Sequence, residues 1–293
     1  MEERRLLSTY DHVNLKVSAM FEIKATESLD VIKELKQQYF ALSTAPLDGM
    51  WHFGFVPMAN HFSFYEHDVL IGYCCINAEG YLLQFFLSPT ANVKAAELFT
   101  SITSQSNAEL MGEIKGAFVS TAEADFLSLC LDNSSSFKVN ALMYVQDPLQ
   151  TIEEKALLPM KLVEPSQLDT CIKFVNESIG APEDWLSSYL GNLIQRKELF
   201  AYWRGNEILA TGECRLFDDY QTDYAELGMI VAESERGRGV ATQVLKTLCH
   251  KAKEQGLKVI CSTERDNIGA QKAITRAGFF APNRLIQFEF KRT

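Results

Sequence analysis

Apolar and polar residues along the chain fall into two blocks that predict the same order of elements. Period-two alternation and short β-branched runs predict strands, and apolar residues three or four positions apart predict helices. The first block predicts, in order, a strand at 20–25, helices at 28–42 and 46–53, strands at 61–65, 69–77 and 81–87, a helix at 93–102, a strand at 114–119, a helix at 123–131 and a strand at 137–145.

The second block repeats this order. It predicts a strand at 158–163, helices from 166 or 169 to 178 and at 183–196, strands at 198–204, 207–217 and 223–231, a helix from 240 that ends before Gly256, a strand at 257–261, a helix at 267–276 and a strand at 284–290. Strands and helices in this arrangement predict an α/β fold of the α+β type. We expect two tandem domains, each a mixed, mostly antiparallel twisted sheet flanked by helices.

The ends of the two blocks set the expected domain boundaries. Residues 1–18 are predicted to be an N-terminal extension, residues 19–146 the first domain and residues 157–293 the second domain. The stretch 147–156 begins with Asp147-Pro148 and is the predicted linker. A chain of 293 residues is long enough to bury two cores.

Composition and charge narrow the function classes. The formal net charge of -10 argues against nucleic acid as a partner and leaves room for an amine substrate. No apolar run reaches the roughly 18–20 residues of a membrane span, and Met1–Tyr10 lacks the apolar segment of a signal peptide. The seven cysteines show no C-x-x-C spacing, so we expect free thiols, no metal site and a cytoplasmic location.

A basic, glycine-rich loop at Arg236–Ala241 is the strongest chemical signal in the chain. It follows the apolar strand Leu227–Val231 and opens an amphipathic helix. Glycine lets an anion approach the backbone closely, and the free amides and positive dipole end of a helix N-terminus favour that anion. The sequence therefore indicates a phosphate site here. The alternative is a glycine turn that only makes a tight connection.

Two motifs in this region resemble those of the GNAT superfamily of N-acetyltransferases. That family's loop has the pattern Gln/Arg-x-x-Gly-x-Gly/Ala, and Arg236, Gly239 and Ala241 match it. The family's second signature is an Asn, a small residue three positions on, and a later Gly-Phe. Asn267, Ala270 and Gly278-Phe279 match that signature at the family's spacing. The resemblance is specific over 157–293 and only architectural over 19–146, which reads as a degenerate GNAT-like domain.

The resemblance implies acetyl-CoA as co-substrate and assigns residues to it. The backbone amides expected to hold the pyrophosphate are those of Arg236, Gly237, Arg238, Gly239, Val240 and Ala241. The main chain of Met229, Ile230 and Val231 is expected to pair with the pantetheine arm as an added strand. Asn267 is expected to contact the CoA arm near its reacting end. Its alternative role is the N-cap of the following helix.

Two departures from the family pattern change the expectations. Many members carry a tyrosine seven positions after the Asn, as general acid for the leaving thiolate, and this chain has Ile274 there. In the first block, the segment that matches the phosphate loop is Ser88–Lys94, which has no glycine and in which Pro89 lacks an amide donor. We therefore expect one CoA site, in the second domain.

Candidates for the catalytic base lie on the strands that face the acetyl group. Glu226 is the first choice, because a carboxylate in a partly dry cleft has a raised pKa and accepts a proton near neutrality. Its alternative is an exposed or ion-paired strand residue. Ser262 and Glu264, near the end of the next strand, are weaker candidates. Glu213 and Cys214 are expected to line the pocket, with no nucleophilic role for the thiol.

The expected acceptor contacts are Trp185, Asp218 and Tyr220. Acidic residues beside these positions suit an ammonium group, although helix-start acids and a polar turn are the plainer interpretation of each residue. The sequence thus predicts an acyl-CoA-dependent N-acyltransferase that transfers directly to the amine of a small molecule or a peptide N-terminus. The alternatives are a non-catalytic CoA-binding or regulatory module and a protein-interaction scaffold. The oligomeric state is not predicted.

Overall fold

The computed structural model describes residues 21–104, 107–149 and 157–291. The predicted N-terminal extension and most of the predicted linker lie outside these residues. The first half contains β1 Glu22–Ala25, α1 Lys33–Leu42, β2 Asn60–Glu66, β3 Val69–Ile76, β4 Tyr81–Leu87, α2 Ala95–Thr103, α3 Ala108–Met111, β5 Gly116–Ser120, α4 Ala124–Asn133 and β6 Ser134–Gln146. The second half contains β7 Lys161–Leu162, α5 Leu168–Ile179, α6 Glu183–Gln195, β8 Leu199–Arg204, β9 Glu207–Leu216, β10 Tyr224–Val231, α7 Val240–Glu254, β11 Lys258–Glu264, α8 Ile268–Arg276 and β12 Phe279–Phe290.

The strands join in one sheet in the order β1-β2-β3-β4-β5-β12-β6-β11-β10-β9-β8-β7. Among the strand pairs of the described residues, only β4–β5 and β10–β11 are parallel. The predicted fold class is confirmed, because each half forms a mixed, largely antiparallel sheet flanked by helices. The domain boundaries themselves stay a prediction.

The two halves exchange their last strands. β12, which ends the second half, pairs with β5 of the first half from Leu285 to Glu289. β6, which ends the first half, pairs with β11 of the second half from Ala141 to Val145. β6 and β12 also pair with each other along most of their lengths. Each half-sheet is therefore completed by a strand from the other half.

The hydrophobic cores follow the exchanged strands. The first-half core contains Phe64 and Phe99, together with Phe288 and Phe290 of β12. The second-half core packs α7 against the sheet and includes Tyr144 of β6. Burial of large aromatic side chains from the other half stabilises each core, because such side chains remove much apolar surface from water.

Three local predictions differ from the structure. The predicted helix at 46–53 is instead a π-helical turn at Trp51–Phe55 followed by a short 3-10 turn that contains Pro57. β12 begins at Phe279 rather than 284, and its pairing with β6 shifts register around Pro282, which has no amide to donate. The short helix α3 was not predicted.

The cysteines and the helices give two further findings. All seven cysteines are free and buried, as predicted. Within the described residues, every helix is too short or too polar to cross a membrane.

Candidate active site

β10 and β11 diverge and leave part of the β10 backbone open. β11 pairs in parallel with β10 only from Tyr224 to Glu226, whereas β9 accompanies β10 as far as Val231. From Ile260 onward, β11 also pairs with β6 on its other side. The β10 edge that faces β11 therefore has no strand partner over 229–231 among the described residues and is available to an extended ligand, although the carbonyl of Val231 accepts a hydrogen bond from Arg236.

The glycine loop beyond β10 exposes amides at the start of α7. Gly237 and Gly239 have φ of 76° and 83°, a left-handed conformation that glycine adopts without strain. A Cβ at either position would meet nothing within 4 Å, so the space in front of the loop is open. None of the described residues accepts a hydrogen bond from the amides of Gly237, Arg238 and Gly239. The loop has the features of a helix N-terminal anion site.

One cleft of about 510 Å³ joins this loop to the open edge of β10. Its far wall comes from α8, with Ala270 and Ala273. Nine of the ten predicted cofactor residues line it: Met229, Ile230, Val231, Arg236, Gly237, Gly239, Val240, Ala241 and Asn267. The tenth, Arg238, places its guanidinium 3.5 Å from the carboxylate of Glu235.

Charged side chains fix the loop from beneath. The buried carboxylate of Glu235 pairs with Arg204 at 2.9 Å as well as with Arg238. Arg236 donates hydrogen bonds to the carbonyls of Val231 at 3.3 Å and Ser178 at 3.1 Å. Its side chain thus fastens the loop to β10 and α5. Sequence reasoning missed Arg204 and Glu235, although an acidic residue just before a basic glycine loop was a visible signal.

The structure assigns a cap role to Asn267 and a core position to Ile274. The Oδ1 of Asn267 accepts a hydrogen bond from the amide of Ala270 at 3.0 Å, which makes it the N-cap of α8. Because Asn267 also lines the cleft, capping does not exclude its predicted contact with CoA. Ile274 is buried in the core under α7 and α8, so this position presents no polar group to the cleft.

Glu226 is a buried carboxylate on β10, with 1% of its surface exposed. Its Oε2 accepts hydrogen bonds from Arg215 Nη2 at 2.8 Å and from the amide of Met50 at 2.8 Å. Its Oε1 has no hydrogen-bond partner among the described residues. Burial and the nearby charge of Asp48 raise the pKa of Glu226 to about 7, although Arg215 opposes this shift.

Arg215 links Glu226 to an aromatic pair on α6. Its guanidinium forms a close ion pair with Glu213 and donates to the hydroxyl of Tyr189 at 2.9 Å. Tyr189 donates to Glu213 at 2.6 Å, and its ring stacks on Trp185 at 4.7 Å between centroids. This network lies on the sheet face opposite α7, because strand residues alternate between faces.

Cys214 takes no part in this network. It lies between Glu213 and Arg215 in sequence and packs in the core beneath α7, on the other face of the sheet. Burial raises the pKa of its thiol to about 11, so the thiolate is scarce near neutrality. The expectation that this cysteine is no nucleophile agrees with its position.

The first half covers Glu226 at close range. A Cβ at Gly49 would lie 2.5 Å from the Oε2 of Glu226 and 3.1 Å from the ring of Phe217, so only glycine fits there without a shift. Ser262 lines the same small space as Glu226, whereas Glu264 is exposed at the end of β11. Of the three predicted catalytic residues, the structure brings together Glu226 and Ser262.

The predicted acceptor residues fall into two places. Asp218 and Tyr220 line a cavity of about 300 Å³ between the halves. The carboxylate of Asp218 forms two hydrogen bonds with Arg196, at 2.9 and 3.0 Å, and Tyr220 stacks on Phe40 of the first half at 4.6 Å. Trp185 lies instead at the Arg215 network.

The matching loop in the first half already holds an anion from the protein. The carboxylate of Glu66, the last residue of β2, accepts from the amides of Asn92 at 3.1 Å and Val93 at 2.9 Å. The side-chain amide of Asn92 donates to the same carboxylate at 2.7 Å. These hydrogen bonds, led by that of the Asn92 side chain, lower the pKa of Glu66.

Comparison with known proteins agrees with this geometry. Residues 28–147 match a family described as "Acetyltransferase (GNAT) domain", and residues 167–279 match one described as "Acetyltransferase (GNAT) family". No curated protein matches the chain.

Solved structures of similar overall shape include a close relative. An acetyltransferase of the GNAT family from Colwellia psychrerythraea is 54% identical, with a TM-score of 0.88, over 92% of this chain and 100% of that chain. A GCN5-related N-acetyltransferase from Sphaerobacter thermophilus is 14% identical, with a TM-score of 0.62, over 94% of this chain and 97% of that one. A tandem GNAT protein from the clavulanic acid biosynthesis pathway is 12% identical, with a TM-score of 0.60, over 93% and 99%. The chain therefore belongs to the GNAT acetyltransferases and carries two GNAT domains in tandem.

Proposed function

We propose that the protein transfers an acetyl group from acetyl-CoA to the amine of a small molecule or a peptide N-terminus. The observation that carries this proposal is the continuous cleft from the open amides of Gly237–Gly239 to the free edge of β10. Bound acetyl-CoA would supply a thioester whose carbonyl carbon is attacked by an amine. The remaining tasks fall to residues of this chain.

The cleft residues fit the CoA molecule in two parts. The amides of the 236–241 loop suit the two phosphates, and the positive end of α7 and the side chains of Arg236 and Arg238 favour their charge. The open backbone of Met229–Val231 suits the amide groups of the pantetheine arm. Asn267, at the opposite wall, is placed to hydrogen-bond that arm.

Glu226 is the proposed base for the amine proton. Its pKa of about 7 suits proton transfer near neutral pH, and its Oε1 has no hydrogen-bond partner among the described residues. Ser262, in the same small space, is a weaker candidate, and the exposed Glu264 is weaker still. Since Ile274 has no proton to give, water is the proposed donor to the leaving thiolate.

The proposed acceptor contacts remain Trp185, Asp218 and Tyr220. Trp185 offers an exposed ring above the Arg215 network, and the other two line the cavity between the halves. The free, buried state of all seven thiols supports a reducing compartment, and we propose the cytoplasm.

A second candidate is a CoA-binding module without catalysis. Two observations favour it: Ile274 replaces the usual acid, and Gly49 and Met50 lie directly against Glu226. Release of free thiol from acetyl-CoA over a panel of amines separates the candidates. Steady turnover with any amine supports the enzyme, whereas CoA binding without turnover supports the module.

The cofactor loop is tested with two matched glycine variants. Gly239 and Gly256 both have positive φ and open space around them, at opposite ends of α7. Valine at either position strains the backbone, but only Gly239→Val places a side chain among the loop amides. We expect acetyl-CoA to raise the Tm of the wild type and of Gly256→Val, and to leave Gly239→Val unchanged. Equal responses of the two variants would contradict the loop assignment.

The base is tested by Glu226→Gln. We expect kcat to fall roughly 10²–10⁴-fold, with a steeper rise toward high pH and with CoA affinity kept. The control is Glu207→Gln, an exposed residue at the β8–β9 hairpin. A normal rate across the pH range would remove Glu226 as the base.

A further inference from the structure

The cavity between the halves is separate from the CoA cleft. It measures about 300 Å³ and shares no lining residue with that cleft. One wall comes from the first half, with Lys36 and Gln84, and the other from the β9–β10 loop at Phe217–Tyr220. Its volume is at the lower end of ligand sites, so it suits a small metabolite.

Lys36 brings an unpaired positive charge into this cavity. The residue is 9% exposed, and no described carboxylate lies within ion-pair distance of its ammonium. The ammonium lies over the ring of Tyr73, 6.0 Å from the ring centroid. Burial lowers the pKa of Lys36, as expected for a cation with no partner.

The neighbours of Lys36 do not neutralise it. His52 is half-buried beside it, and desolvation together with the Lys36 charge lowers the pKa of the imidazole to about 3. The side-chain amide of Gln84 is hydrogen-bonded to His52 Nδ1 at 2.9 Å. The Oε1 of Gln84, which is 1% exposed, has no partner among the described residues. Lys36 therefore lies among neutral polar groups, and one of them, Gln84, lacks full hydrogen bonding.

The three acids that line the cavity among the described residues each have a partner other than Lys36. Asp218 pairs with Arg196, Asp219 lies 3.5 Å from Lys33, and Asp30 accepts a hydrogen bond from the hydroxyl of Ser28 at 3.4 Å. The buried charge at Lys36 has a cost in folding that no ion pair among the described residues offsets. Such a cost is expected at a binding site, where the ligand supplies the missing partner.

We propose that this cavity binds a small carboxylate-bearing molecule of the amino-acid class, with its carboxylate against Lys36. A ligand there would also be linked to the proposed base, Glu226, through packed side chains. Phe217 lies on the cavity wall, and both Phe217 and Glu226 lie against Gly49. The proposal does not depend on acetyl transfer, since its test contains no acetyl-CoA.

The probes are the common amino acids, each compared with the amine that lacks its carboxylate. We expect at least one amino acid, near a hundredfold excess over its Kd, to raise the Tm of the wild type by about 5 °C. Its decarboxylated counterpart should have no effect. An equal effect of the amine, or no effect of any amino acid, would overturn the proposal.

The variants separate a ligand site from a structural lysine. Lys36→Met should lose the ligand response while raising the Tm of the free protein, because it removes an uncompensated buried charge. Lys36→Gln is the second variant, should the first fail to fold. The control is Lys173→Met, an exposed lysine on α5 that does not line the cavity. Retention of the response in both Lys36 variants, or equal loss in the Lys173 control, would refute the site.

Discussion

The two halves share an order of elements, but the N-termini of their corresponding helices, α2 and α7, differ in what accepts hydrogen bonds from the loop amides. In the second half, Gly237 and Gly239 leave loop amides open at the start of α7. In the first half, the amides of Asn92 and Val93 before α2 are taken by the carboxylate of Glu66. One helix start offers its amides to an external anion, and the other is satisfied from within.

The difference between the two loops extends to the residue that ends the matching strand in each half. Glu66 is the last residue of β2, and Arg204 is the last residue of β8, the matching strand of the second half. Glu66 binds the loop amides, whereas Arg204 holds Glu235 and adds positive charge beside the open loop. The comparison associates the charge at the end of the strand with the state of the nearby helix start: the acidic Glu66 fills its amides, whereas the basic Arg204 leaves the amides of the other loop open. This is a physical reason to expect one CoA site in the chain.

The largest expected effect concerns the ionic network of Glu213, Arg215 and Glu226 in the second half. Arg215→Met leaves Glu213 and Glu226 buried without their cation, and we expect the free energy of unfolding to fall by about 3–5 kcal/mol. Urea denaturation measures this loss. The exposed Arg265→Met is the control and should change stability by less than ~0.5 kcal/mol. A loss of less than ~1 kcal/mol in the free energy of unfolding would show that the ionic network does not stabilise the second half.

The next largest effect is a pH dependence of stability that comes from one carboxyl group with a raised pKa in each half. Burial raises the pKa of Glu226, and likewise that of Glu123 in the first half, from 4.5 to about 7. The folded state therefore holds these protons more tightly than the unfolded state does. The stability they contribute is full below pH 4.5 and is lost as the pH rises through about 7, by roughly 3 kcal/mol for each group.

Single substitutions show how much of this pH dependence each carboxyl group causes. Glu123→Gln and Glu226→Gln should each remove a decline of roughly 3 kcal/mol in the free energy of unfolding between pH 4.5 and 7.5, relative to the wild type. His52 and His61, whose pKa values are lowered to about 3 and 4, act in the opposite direction in the wild type and in both variants, so the difference between variant and wild type isolates each carboxyl. Denaturant titrations across this range measure it, and a variant whose pH profile matches that of the wild type would show that its half lacks the shared property.

Arg204→Met tests the charge that replaces Glu66 in the second half. Without Arg204, the buried carboxylate of Glu235 keeps only Arg238, at 3.5 Å, beside the proposed phosphate site. We expect the Kd for acetyl-CoA to rise about fivefold, measured by calorimetry, because Arg204 is largely exposed and water screens its charge. An unchanged Kd would show that the strand-end charge does not act on the loop.

The smallest effect is expected from Glu66→Gln. The lowered pKa of Glu66 means that its contribution to stability is present above the usual carboxyl range and is lost as the pH falls through the folded-state pKa. The variant should lower the Tm by on the order of 2 °C at pH 7 and by less at pH 3. Exposed Glu79→Gln is the control. Calorimetry should still give one CoA per chain, and a second site in the wild type would contradict the comparison.

Much of the fold was predictable because its elements are locally encoded. The apolar faces of α7 and β9, and the glycines that end helices, specify type and position without distant contacts. The predicted cofactor loop was equally accessible to sequence analysis, since Arg236, Gly239 and Ala241 lie within six consecutive residues. The cleft then gathered nine of the ten predicted residues without further information.

The strand exchange and the buried networks were not predictable in this way. The alternation in β6 and β12 indicates strands with one buried face, but it does not say which half-sheet each strand joins. Glu66 and Arg215 act through partners that the fold alone brings near. Glu226 was chosen for its position on β10, yet its contact with Met50 joins residues 176 positions apart.

The exchanged strands also bear on the history of the chain. Once each copy of a duplicated domain lends its final strand to the other, neither copy can be deleted without opening the sheet and core of its neighbour. Selection for folding alone would then retain the first copy whether or not it binds a ligand of its own. Its surface could change toward new ligands while the two copies stay joined.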